Sequence, residues 1–184
     1  MIQSLFDHVC DLMRLNRIEK RRTMKCQNCA ANMTLMEEKN YFFCNFCGGF
    51  HFPEENSEGL VVLQDAVDDL SCPVCKTGMS LASIADHRLL HCTNCRGVYV
   101  ANTTFRQIVD ALRAESNGPG TPRPIDQKEY ERDVNCPACE RRMETHPYYG
   151  PGAVVIDSCS ACHMIWLDHG ELKIVVDASS QKRI

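Results

Sequence analysis

Twelve of the chain's 13 cysteines fall into six Cys-x-x-Cys pairs: Cys26/Cys29, Cys44/Cys47, Cys72/Cys75, Cys92/Cys95, Cys136/Cys139 and Cys159/Cys162. A thiol can act as a nucleophile, as half of a redox couple or as a soft metal ligand, and spacing selects among these roles. Dithiol redox chemistry needs one reactive pair at a helix start. Six pairs arranged in twos do not fit it. Zn²⁺ takes four soft or borderline ligands in a tetrahedron, and a Cys-x-x-Cys turn presents two thiolates to one side of the ion. A second such turn, reached through a β-hairpin, completes the set. The pairs therefore group as "CQNC…CNFC", "CPVC…CTNC" and "CPAC…CSAC", with 14, 16 and 19 residues inside the three units. This predicts three Zn²⁺ per chain, one held by Cys26, Cys29, Cys44 and Cys47, one by Cys72, Cys75, Cys92 and Cys95, and one by Cys136, Cys139, Cys159 and Cys162. A rubredoxin-like iron site uses the same ligand set and stays open as an alternative, because a tetrahedral thiolate cage does not by itself separate the two metals.

The repeat extends beyond cysteine. Met33, Met79 and Met143 each stand four residues after the first pair. After the second pair come an apolar residue (Phe50, Val98, Ile165) and then a ring (His51, Tyr99, Trp166). The segments "NYFFC", "HRLLHC" and "AVVIDSC" read as strands leading into the second turn of each unit. The expected fold class is a small metal-stabilised α+β protein: three four-cysteine zinc ribbons, each a β-hairpin with zinc knuckles, plus short helices. Units this small bury too little core to stand alone, and a structural zinc contributes about 10–16 kcal/mol of apparent binding free energy to such a unit.

The elements around the ribbons set the predicted organisation. Residues 1–23 carry Ile2, Leu5, Phe6, Val9, Leu12 and Met13 at helical spacing, which predicts an amphipathic helix with Cys10 as a small apolar residue beside its face. Ribbon 1 spans 24–57. A connector over 58–70, "SEGLVVLQDAVDDL" in part, fits a short helix or a strand equally. Ribbon 2 spans 71–115 and ends in a helix with Phe105, Ile108, Val109 and Leu112 on one face. The Pro/Gly-rich "SNGPGTPRP" opens a linker over 116–133 that would set ribbon 3, 134–180, apart from the other two. The tip "HPYYGPG" of the third hairpin carries Tyr148 and Tyr149, either as a partner contact or as rings packed on a longer hairpin.

The stretch "CHMIWLDHGEL" (Cys162 to Leu172) looks at first like a catalytic cluster. The repeat gives it a quieter reading. Cys162 is the fourth ligand of the third site, His163 is an exposed neighbour, and Trp166 packs over the ribbon. Asp168 and Glu171 fit a capping box, Asp-x-x-Glu, for a helix carrying Leu172, Ile174, Val175 and Val176.

The third unit, "CPACERRM…VVIDSCSACHMIWLDHGELKIV", resembles the transcription factor IIB-type zinc-ribbon family. Cys136, Pro137, Cys139, Cys159, Cys162, Trp166, Leu167, Asp168, Gly170, Glu171 and Leu172 carry the resemblance, with Met164 where the family has Gly. The second unit is a weaker likeness, with Gly97 and with Tyr99 at the Trp position. The first keeps Gly49 and lacks the Trp-Leu-Asp element. The resemblance implies a structural zinc site. It does not imply a general initiation factor, which would need a following cyclin-like helical region.

Charge bears on partners. The formal charge of −4 becomes about −10 once twelve thiolates hold three Zn²⁺. Phosphate binding needs local positive charge, and two regions offer it: the basic end of the N-terminal helix (Arg14, Arg17, Lys20, Arg21, Arg22, Lys25), and ribbon 2 with its helix (Lys76, Arg88, Arg96, Arg106, Arg113). No leader-like N-terminus and no apolar run of roughly 18 residues is present. The sequence thus predicts a cytoplasmic, non-enzymatic zinc-binding protein with no membrane contact. Its expected role is a protein-interaction or transcription-associated module, with RNA or single-stranded DNA binding as the alternative.

Overall fold

The computed structural model describes residues 24–53, 59–115, 125, 127–148 and 154–178. The expected helix over 1–23 with Cys10, the stretch 116–124 and the hairpin tip 149–153 lie outside the described residues. The chain forms two compact units, Met1–Glu55 and Asn56–Ile184. Among the described residues no helix is long and apolar enough to cross a membrane.

The first unit is one ribbon. Strands β1 (Met24–Lys25), β2 (Asn32–Met36), β3 (Tyr41–Phe43) and β4 (Phe50–His51) form an antiparallel sheet in that order. The knuckles Cys26–Cys29 and Cys44–Cys47 join β1 to β2 and β3 to β4. Period-two alternation sorts β3: Phe42 is buried beside Cys26, Met33 and Cys44. Tyr41 and Phe43 lie on the opposite face, where their rings meet Phe50 at 5.6 and 5.1 Å.

The second unit holds ribbons 2 and 3 in a single seven-stranded sheet of order β5-β6-β7-β8-β11-β10-β9. The elements in chain order are β5 (Val61–Ser71), β6 (Gly78–Ile84), β7 (His87–His91), β8 (Val98–Ala101), α1 (Asn102–Glu115), β9 (Glu144–Pro147), β10 (Val155–Cys159), β11 (Met164–Leu167) and α2 (Glu171–Asp177). The connector that fitted helix or strand is the edge strand β5, which pairs with β6 through several register shifts. Ala85 and Asp86, both at positive φ, make the two-residue turn between β6 and β7. Within the stretch expected as a linker, Gln127–Glu131 forms a 3-10 helix.

The sequence expectation of a third ribbon set apart by a linker differs from this arrangement. β8 and β11 pair antiparallel, with Tyr99 opposite Trp166, Val100 opposite Ile165 and Val98 opposite Leu167. Each ribbon alone leaves its last strand with an unpaired edge, and pairing the two removes both edges at once. Val98, Val100, Ile165 and Leu167 then form one apolar face. They share a core with Phe105, Ile108 and Val109 of α1 and Leu172 and Val175 of α2. Arg113 fastens the two helices, donating from Nη2 to the Val175 carbonyl at 2.6 Å. Tyr148, at the base of the third hairpin's tip, packs edge-on against Phe105 of α1 at 5.5 Å.

Candidate metal centres

Each knuckle has the same backbone form. The residue directly after the second cysteine takes a left-handed conformation in all six: Ala30, Gly48, Lys76, Arg96, Glu140 and His163, with φ between 55 and 71°. In five of them the N–H of that residue donates to the carbonyl of the first cysteine, as in Ala30 to Cys26 at 2.9 Å and Glu140 to Cys136 at 2.8 Å. This turn points both thiols of a pair the same way. It also explains His163, which is exposed, at the turn position, with its carbonyl accepting from Asn102 N–H at 2.9 Å.

The twelve paired cysteines gather into three sets of four: Cys26, Cys29, Cys44 and Cys47; Cys72, Cys75, Cys92 and Cys95; Cys136, Cys139, Cys159 and Cys162, the sulfurs within each set lying within 4.8 Å of one another. A tetrahedron with Zn–S bonds of about 2.3 Å has S···S edges of about 3.8 Å. The observed contacts fit that cage: Cys26 to Cys47 and Cys29 to Cys44 at 3.5 Å, Cys72 to Cys95 at 3.5 Å and Cys75 to Cys92 at 3.3 Å, and Cys139 to Cys159 at 3.6 Å. All twelve are free thiols rather than disulfides. The donor sets are compatible with three zinc ions. The repeated methionines lie buried in all three units: Met33, Met79 and Met143.

Electrostatics favour a cation in these cages. In the first, the backbone N–H groups of Cys47 and Phe46 draw the Cys44 thiol down to about 6. Cys47 receives the N–H of Gly49, which lowers it, but the thiols of Cys26, Cys29 and Cys44 push it up to about 12. In the third, burial raises Cys136, yet the Tyr99 hydroxyl and the N–H groups of Ala138 and Cys139 outweigh it and leave the thiol at about 7. Cys162 is pushed up to about 12 by the neighbouring Cys139 thiol and by desolvation. Backbone donors thus stabilise some thiolates, while mutual repulsion forbids four. A divalent ion relieves that conflict.

Several groups outside the ligand sets complete the centres, and sequence reading had not assigned them. The Thr77 hydroxyl lies 3.2 Å from Cys75 Sγ and 3.3 Å from Cys92 Sγ. Tyr99 of ribbon 2 places its hydroxyl 3.0 Å from Cys136 Sγ of ribbon 3. Trp166 of ribbon 3 is fully buried and packs on ribbon 2. A Cβ at Gly97 would stand 2.2 Å from its Cζ2 and 2.5 Å from its Cη2. The Trp166 ring, expected to pack over the ribbon, thus also reaches across the β8–β11 seam.

The capping-box expectation is corrected. Helix α2 begins at Glu171 after Gly170, which is in the left-handed region with no side-chain cap. Half of the box survives, since Glu171 Oε2 accepts from Asp168 N–H at 2.8 Å. The Asp168 side chain instead accepts from Trp166 Nε1 at 2.9 Å and pairs with Arg132 at 2.7 Å. Arg132 also reaches Asp157 at 2.8 Å and Glu171 at 3.4 Å, and both carboxylates are buried. The attraction of these carboxylates outweighs the cost of burying the guanidinium and raises its pKa. One arginine thus ties β10, the β11–α2 turn and α2 to the segment entering the Cys136 knuckle. The signal for it was Asp157, an acid in β10 that directly follows the apolar run Val154, Val155 and Ile156.

Residues 135–178 match the model of the family described as transcription factor zinc-finger, of the transcription factor IIB zinc-ribbon type. This is the unit whose residues carried the resemblance. Comparison of the chain with curated proteins and with solved structures gives no match.

Proposed function

We propose that this chain is a non-enzymatic zinc-ribbon module that binds a protein partner, in a transcription-associated or other scaffolding setting. The observation that carries this reading is the closed donor set at every centre. A catalytic zinc keeps one position open for water or substrate, whereas four cysteines per site fill the coordination shell. Exposed apolar side chains support a docking role: Phe46, at the tip of a knuckle, is 82% exposed, and Val61, Val62 and Leu63 stand together on the edge strand β5.

Nucleic-acid binding is the second reading, through the basic end of the N-terminal helix, of which residues 14–22 lie outside the described residues, or through ribbon 2. Basic residues there are engaged within the chain, among them Arg113, with Nη2 on the Val175 carbonyl, and Lys76, with Nζ on the Pro73 carbonyl at 2.8 Å. Arg88 and Arg106 are exposed, a small footprint against an acidic whole. Mobility-shift titrations with single- and double-stranded nucleic acid at low salt test the choice. The proposal expects no shift. A shift that weakens with added salt transfers the function to the second reading.

A further inference from the structure

The β8–β11 seam relates ribbons 2 and 3 by an approximate twofold. Tyr99 and Trp166 occupy the same place in the repeat and face each other across the seam; on either side of them Val98 stands opposite Leu167 and Val100 opposite Ile165. Each of the two rings serves the other ribbon. The Tyr99 hydroxyl sits 3.0 Å from Cys136 Sγ, and Trp166 lies over Gly97, two residues past the ligand Cys95. The first knuckles also stand side by side, Cys72, Pro73 and Lys76 lining one cleft with Cys136, Pro137 and Glu140.

We propose that the second and third metal centres form a coupled pair, with Tyr99 of ribbon 2 as a positioning residue for the Cys136 thiolate of ribbon 3. A metal-bound cysteine is a thiolate and offers no proton, so the phenol O–H is the donor in this bond. Such a donor fixes the orientation of the sulfur, and loss of an outer-sphere partner commonly costs 10–100-fold in metal affinity. Tyr99 is held by β8, which leaves directly from the Cys92–Cys95 knuckle, so filling the second centre sets the donor for the third. In the other direction, Trp166 leaves from the Cys159–Cys162 knuckle and closes on Gly97. Coupling of binding free energies is reciprocal, so each centre strengthens the other. The first centre lies in the other unit and loads independently.

Cadmium-113 NMR of the full chain tests this, because each tetrathiolate centre gives its own resonance; Cys139→Ser identifies that of the third. Tyr99→Phe removes one oxygen and keeps the ring. The expected result is a shifted third-centre resonance, about 10–100-fold easier removal of that metal by a competing chelator, and an unmoved first-centre resonance. Cys72→Ser with Cys75→Ser should weaken the third centre at least about tenfold, while Cys26→Ser with Cys29→Ser leaves it unchanged. A Tyr99→Phe chain with all three resonances unmoved and an affinity at the third centre equal to that of the parent chain overturns the proposal. So does equal weakening by the two double substitutions. The metal count of the parent chain is read separately, so failure of the coupling is distinguishable from failure of the zinc assignment.

Discussion

Gly97 shows how one absent side chain can decide a fold at the residue scale. Trp166 fills the space that a Cβ would take, so Gly97→Ala must push the ring or the strand aside. Overpacking of this kind costs about 1–3 kcal/mol. The expected outcome in calorimetry is a lower melting temperature for the second unit and an unchanged one for the first. Asp168→Ala removes the acceptor of Trp166 Nε1 and one partner of Arg132, at a cost of about 1–3 kcal/mol for the buried groups left unsatisfied. Asp168→Asn keeps an acceptor oxygen for the indole and should recover part of that loss, whereas a pure helix-cap role would make the indole irrelevant. The twelve cysteines were legible in the sequence because knuckle geometry is local and needs only the two-residue spacing. Tyr99 on Cys136, Trp166 on Gly97 and Arg132 on Asp157 were not, because each contact joins residues far apart in sequence that only the tertiary fold brings together.

At the scale of elements, strand periodicity placed β3, β7 and β10, and helical spacing placed α1 over its buried Phe105, Ile108 and Val109. The seam between β8 and β11 escaped that reading. A Pro/Gly-rich stretch between two repeats looks like a spacer, and nothing local records that the last strands of both repeats want the same partner. The seam makes ribbon 3 a structural neighbour of ribbon 2. A chain ending at residue 133 would leave β8 as an unpaired edge and strip α2 from α1. Hydrogen exchange should then show faster exchange of the β7 and β8 amides, with the first ribbon unaffected. Unchanged protection in β8 would mean that ribbon 2 stands without its partner.

The whole molecule comprises one unit with a single ribbon and one with a fused pair, and a structural zinc is expected to contribute about 10–16 kcal/mol of apparent binding free energy to each ribbon. Chelation should therefore unfold the chain in two stages rather than one or three, with the second and third ribbons melting together. Circular dichroism followed against chelator concentration reads this. Retention of the full strand signature after complete metal removal would show cores sufficient without the ions. Fold and function both rest on twelve thiols in three closed cages, and elemental analysis of the purified chain tests that most directly. The expected result is about three zinc per chain, one for each four-cysteine cage; a red protein carrying iron in their place would contradict it and make the cages redox centres.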